Sequence, residues 1–256
     1  NSAYANCGAL DPENRVASLY YAKSLLASRD GGGAIAQLEG ACGDEPEAAE
    51  CPFLRGLALR QMGRYQDAEN FFSLAVAADP EDAEAHYQLG FSRIRRGEPA
   101  AAIQPLVKAA QLNPLNPEYY FQLGQALRDA GRVEEAKESL DRFRKLREGE
   151  QRRDRAAVLA KMAQSEVAAG SASTAIDLYR EAIVLSPDDA VLRLNLALAL
   201  GDSGDLSGKL GELRRARDLD AGLPEIHYEL GRIAAADNDW ASAEKEFRAA
   251  IALRPE

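Results

Sequence analysis

Between Ala83 and Asn116 the apolar and small residues fall at the spacing of two short helices. Leu89 and Gly90 sit midway along the first, and Ala102, Leu106 and Ala109 share one face of the second. Gly97 marks the turn between them and Pro114 the stop. The pattern recurs: Pro46, Pro80 and Pro114 stand 34 residues apart, and so do Ala34, Ala68, Ala102 and Ala136. A helix–turn–helix unit of that period predicts a solenoid of stacked pairs with no single central core. Stepping from Ala83 gives Arg15–Ala48, Ala49–Asp82, Ala83–Asn116 and Pro117–Glu150. Five extra residues, Gln151–Arg155, precede Ala156–Asp189, Ala190–Leu223 and Pro224–Glu256, which makes seven copies. Residues 1–14 keep a trace of the phase in Tyr4, Cys7, Leu10 and Pro12, as an N-terminal cap or the stub of a further copy.

These residues resemble the tetratricopeptide repeat (TPR) family. Leu-Gly recurs at 89–90, 123–124 and 230–231, and Gly63, Gly97, Gly131, Gly170 and Gly204 supply turns. Ala68, Phe72 and Ala75 fit the second helix, as do Ala175, Tyr179 and Ala182, and Ala243, Phe247 and Ala250. Pro80, Pro114, Pro187 and Pro255 close copies. The resemblance implies an all-α, right-handed superhelical solenoid of about seven helix-turn-helix repeats. Small residues where helices cross let backbones approach, and a large residue opposite fills the gap. Departures carry expectations too. Gly31–Gly33 reads as a flexible turn that loosens the first copy, and Pro105 predicts a local bend. Lys209 and Ala221 replace a packed Ala and a closing Pro, which predicts distortion of the sixth copy. Between Val133 and Ala169 there is no proline and Gly149 is the only glycine, so the fourth copy's second helix should run long.

A net charge of −10 argues against nucleic acid as a partner, since phosphate binding needs a basic surface. No apolar run approaches the ~20 residues of a membrane span. The basic stretch from Arg142 to Arg155 reads as a solvated helix face or a docking site for an acidic partner. His86 and His227 hold the same packing place in two copies and suggest no catalytic or metal site. The run from Gly204 to Leu210 lacks the four-residue spacing and the Ser or Thr of a phosphate loop. The chain therefore reads as a non-enzyme without cofactor or metal.

The family places partners, usually extended or helical peptides, in a concave groove lined by first helices. Carried over, this assigns Phe53, Leu57 and Arg60, then Tyr87, Phe91 and Arg95, then Phe121, Gln125 and Arg128, to a partner-binding groove. Aromatic and arginine side chains dominate binding energetics, yet packing alone also accounts for aromatics in this row. The row continues through Ala160, Leu194 and Tyr228, with Gln164, Leu198 and Arg232 alongside. The Lys-and-Asn clamp by which some members hold a C-terminal carboxylate is not implied, because Phe53 with Leu57 and Tyr87 with Phe91 fill its places. Cys42 closes the first copy and Cys51 opens the second, so the turn between them brings them near. In an oxidising compartment such as the bacterial periplasm they form a disulfide; in the cytoplasm they are small buried fillers. The expected function is a protein- or peptide-binding scaffold. The alternatives are a regulatory array of a larger enzyme, or a structural subunit that self-associates through the apolar residues of the last helix.

Overall fold

The structure, a computed structural model, describes residues 15–42 and 50–254. The trace at residues 1–14 and the prolines at 46 and 255 lie outside the described residues. Thirteen helices and no strand occur among the described residues. They are α1 (Arg15–Ala27), α2 (Gly31–Cys42), α3 (Glu50–Gln61), α4 (Tyr65–Ala78), α5 (Ala83–Arg95), α6 (Pro99–Leu112), α7 (Pro117–Asp129), α8 (Val133–Ala168), α9 (Ala172–Leu185), α10 (Ala190–Asp202), α11 (Leu206–Leu219), α12 (Pro224–Ala236) and α13 (Trp240–Leu253). The packing divides the chain between Arg147 and Glu148 into two compact units.

Each helix pair is held at one crossing point. In unit 1 a Cβ built on Gly56 would lie 2.6 Å from the Phe72 ring, on Gly90 2.5 Å from Leu106, and on Gly124 2.7 Å from Leu140. In unit 2 the same meeting recurs between Gly231 and Phe247. Ala22, Ala163 and Ala197 take the glycine's place in the other copies and are fully buried. The large partners Leu38, Phe72, Leu106 and Leu213 are fully buried as well, and each such side chain contributes roughly 1.5–3 kcal/mol.

The turns follow the same register. Gly63, Gly97, Gly131, Gly170 and Gly204 all have positive φ, between 75° and 89°, the left-handed conformation that ends a helix at least cost in glycine. The equivalent residues of the first and last copies are Arg29 (φ 64°) and Asn238 (φ 59°). Gly31–Gly33 is therefore not the turn that the sequence suggested. It is the first turn of α2, where Asp30 accepts a hydrogen bond from the Gly33 amide at 2.8 Å. Gly31 lets α2 approach the α3 backbone, since a Cβ there would lie 2.8 Å from the Ala58 carbonyl oxygen. Three first helices start at side-chain caps: Asp82 and Asp189 each accept two backbone N–H bonds, and Asn116 accepts one.

α6 runs unbroken through Pro105. The proline has no N–H for the carbonyl of Ala101; Arg93 supplies the donor instead, Nη1 to oxygen at 3.0 Å. The sixth copy keeps its helix bounds, with α10 and α11 in the same register as α5 and α6, but α11 packs less closely on α12 than α4 does on α5 or α6 on α7. Lys209 is accommodated because Gly201 opposite leaves room for its stem, a Cβ there lying 2.8 Å from the Lys209 Cδ. Its ammonium bonds Glu229 of α12 at 2.5 Å. Pro224 at the start of α12 and an Asp220 bond to the Gly222 amide replace the closing proline.

α8 is long, 36 residues, and it contains Gln151–Arg155 and the whole first helix of the fifth copy. Helix-favouring Glu, Ala, Lys, Arg, Gln and Leu fill it, and a lone Gly149, costing about 1 kcal/mol, does not break it. Its residues Val133–Arg147 belong to unit 1 and Glu148–Ala168 to unit 2. The outward places of its first half differ from those of α6. Where α6 has Ile103, Val107 and Ala110, α8 has Lys137, Asp141 and Arg144, which leaves that helix a largely polar edge in unit 1.

Candidate functional site

In unit 1 the first helices α3, α5 and α7 each turn an i, i+4 pair to the same side: Phe53 and Leu57, Tyr87 and Phe91, Phe121 and Gln125. All six are half-buried, so each packs on one flank and shows the other. They form three neighbouring groups rather than one cluster. Phe53 tilts against Phe72 at 5.9 Å, with Leu57 in the same apolar group. Phe121 meets Phe143 of α8 at 5.1 Å.

The middle group is the most developed. Tyr87 stacks on Tyr119 at 5.0 Å and approaches Phe91 at 6.2 Å. Arg60 crosses from α3 to lie over the Phe91 ring at 5.6 Å. Arg95 lies over Tyr65 at 5.2 Å, and Arg128 stands 3.5 Å from Asp129. Glu84 accepts the Tyr119 hydroxyl at 3.0 Å and the Gln88 amide at 2.5 Å. Burial pushes the Tyr87 and Tyr119 hydroxyls well above the usual tyrosine range, and the Glu84 carboxylate beside them adds to the shift. Both therefore stay protonated donors. Gln88 is 4% exposed, and among the described residues neither its Oε1 nor the buried Arg60 Nε has a hydrogen-bond partner.

Reading first helices by their groove places alone misses Tyr119, Glu84, Gln88 and Tyr65. Tyr119 had a signal: its place holds Cys51, Ala85, Val158, Leu192 or Ile226 in other copies, and a polar aromatic there is unusual. Glu84 and Gln88 had none beyond helical spacing.

In unit 2 the equivalent row is different. Leu194 is buried against Leu213, and Tyr228, 52% exposed, leans on Phe247 at 5.9 Å. Arg232 bonds Glu229, which also holds Lys209. The two histidines are buried at matching places. Nε2 bonds the closing carbonyl of the preceding copy in both, His86 to Pro80 and His227 to Ala221, each at 3.0 Å. His227 also meets Glu246 at 2.6 Å through Nδ1, whereas the His86 Nδ1 has no partner among the described residues. Pro105 holds in α6 the place that Glu246 holds in α13.

Cys42 and Cys51 are joined by a disulfide, with Cα atoms 5.9 Å apart, which ties α2 to α3. Among the described residues no group of three His, Cys, Asp or Glu is arranged to hold a metal, and no helix is long and apolar enough to cross a membrane.

An all-helical array of paired helices with glycine crossings and glycine turns defines a helical-repeat protein. A family model described as Tetratricopeptide repeat matches residues 19–83, 53–117, 87–151, 121–190, 160–224 and 194–256. The chain belongs to the tetratricopeptide repeat family. Successive matches start 34 residues apart except between 121 and 160, where the step is 39; the surplus falls in α8. Among curated proteins the chain is 27% identical over 157 residues to the protein O-mannosyl-transferase TMTC1 of Mus musculus, 60% of this chain but only 16% of that protein. Similar solved structures include MamA, at 20% identity, 78% of this chain, 94% of that one and TM-score 0.43. YrrB, described as a TPR protein with an unusual peptide-binding site, gives 18%, 88%, 95% and 0.44. The APC/C heterotetramer Cut9–Hcn1 gives 18%, 99%, 49% and 0.45.

Proposed function

We propose that the chain is a non-catalytic scaffold whose unit 1 receives a peptide segment or protein surface along α3, α5 and α7. The observation that carries this reading is the Arg60–Phe91–Tyr87–Tyr119 group. It places half-buried aromatic rings beside guanidinium and hydroxyl donors, the residue types that anchor partners. Phe53 and Leu57 on one flank, and Phe121, Gln125 and Arg128 on the other, extend the surface. Membership of a family of interaction repeats supports the reading.

The test is binding of peptides selected from a random phage-displayed library on the immobilised protein. Replacing Phe91 and Arg95 together by Ala should lower their affinity while leaving the helical circular-dichroism spectrum intact. Unchanged affinity would assign the row to packing alone. The likeness to part of a mouse mannosyltransferase favours a second reading, a partner-binding array within a larger enzyme. Self-association is a third: Trp240, Ile251 and Leu253 of α13 are 66%, 64% and 44% exposed, and sedimentation across a wide concentration range reads it directly.

A further inference from the structure

The trough around Phe91 holds two cations that stacking, rather than a carboxylate, keeps in place. Arg60 lies over Phe91 and Arg95 over Tyr65, and neither has an ion-pair partner among the described residues. Acids are plentiful in this chain, 41 against 31 basic residues. Other arginines of unit 1 find them readily: Arg93 and Arg96 share Glu69, Arg64 takes Asp67, and Arg132 takes Glu135. The acids beside the trough are already engaged, Glu84 by Tyr119 and Gln88, and Glu118 by Gln122. Among the described residues the Arg60 Nε is buried with no acceptor, a state that costs free energy. A guanidinium stacked on a ring keeps its N–H edge free for a bidentate carboxylate.

Resting on the reading of this row as the binding face, we infer that Arg60 and Arg95 receive side-chain carboxylates of an acidic partner segment whose apolar residue seats on Tyr87 and Phe91. The two guanidiniums come from α3 and α5 and stack on different rings, so each can take its own carboxylate. A chain terminus supplies one carboxylate; an Asp- or Glu-bearing segment supplies several. The Tyr87 hydroxyl remains a protonated donor in the same trough.

The experiment uses the selected peptides, synthesised with free and with amidated C-termini, and with Asn or Gln in place of each Asp or Glu. Affinities are measured for the wild-type chain, R60Q/R95Q, R60K/R95K and F91A at two salt concentrations. The expected result is a consensus with Asp or Glu beside an apolar residue. R60Q/R95Q should lose about tenfold or more in affinity, and its salt dependence should flatten. The amide-bearing peptides should lose no further affinity on that variant, and R60K/R95K should restore part of the loss. Binding that F91A abolishes but R60Q/R95Q leaves unchanged would overturn the carboxylate inference and keep the groove. Loss confined to C-terminal amidation would assign the arginines to a chain end, against the inference. Binding insensitive to F91A would overturn both.

Discussion

Adding one methyl group at Gly90 should destabilise unit 1, whereas the same addition at Gly149 should stabilise its helix. At Gly90 the new Cβ would lie 2.5 Å from the Leu106 Cγ, 2.9 Å from its Cδ2 and 3.2 Å from the Ala102 carbonyl oxygen. Leu106 is fully buried in the group formed with Ala102, Leu123, Ala126 and Leu127, so it has no free space into which to retreat. Overpacking of this kind costs about 1–3 kcal/mol. Replacing a mid-helix glycine by alanine returns about 1 kcal/mol, which leaves a net loss of up to about 2 kcal/mol. At Gly149 nothing lies within 4 Å of the new atom, so the propensity gain of about 1 kcal/mol stands alone. Repeat arrays need not unfold in one step, so urea denaturation should be paired with native-state hydrogen exchange. G90A should speed exchange in α5 and α6, and G149A should slow it in the middle of α8. A G90A protein more stable than the wild type, as propensity alone would make it, would refute the close-crossing argument, and a destabilised G149A protein would refute the account of α8 as a continuous solvated helix.

The other predictions rest on single sites. Burial pushes the Glu69 carboxyl up, but hydrogen bonds from Arg93 and Arg96 outweigh it and hold the group below the usual carboxylate range. Its stabilisation is therefore present above the unfolded-state value and lost as pH falls through the folded one; E69Q should be less stable than wild type at neutral pH, and the gap should close in acid thermal melts. Replacing Cys42 and Cys51 by Ser should cost about 2.5 kcal/mol by loop-closure entropy, read as a lower denaturation midpoint, with thiol counting on the denatured wild type expected to find the pair oxidised. Arg29 holds a left-handed conformation that suits glycine, so R29G should raise the melting temperature of the first helix pair, by about 0.5–1 kcal/mol of stability.

The repeat register was legible because it reflects packing rules that every copy obeys. A glycine or alanine at the crossing, a left-handed residue at the turn and a large residue opposite are local demands repeated at fixed spacing. What the sequence concealed came from compensation between places that lie far apart in a copy. Lys209 looked disruptive until Gly201 and Glu229 were seen to accept it, and Pro105 until Arg93 supplied its missing donor. The Gly31–Gly33 run misled for a different reason. Three consecutive glycines signal a turn by composition, but Asp30 caps them into a helix and the strained position falls on Arg29. At the candidate site the spacing pointed to Tyr87 and Phe91, while the stacking of Arg60 on Phe91 and the Glu84–Tyr119 bond depend on side-chain reach between helices. No single-helix pattern encodes that reach.

The central claim, that unit 1 binds a partner segment along its first helices, is tested most directly by a crystal structure of the chain with a selected peptide bound. The peptide should lie against α3, α5 and α7, with an apolar side chain on Tyr87 and Phe91 and Arg60 within hydrogen-bond distance of it. A peptide seated instead on the second helices α4 and α6, or on unit 2, would contradict the claim.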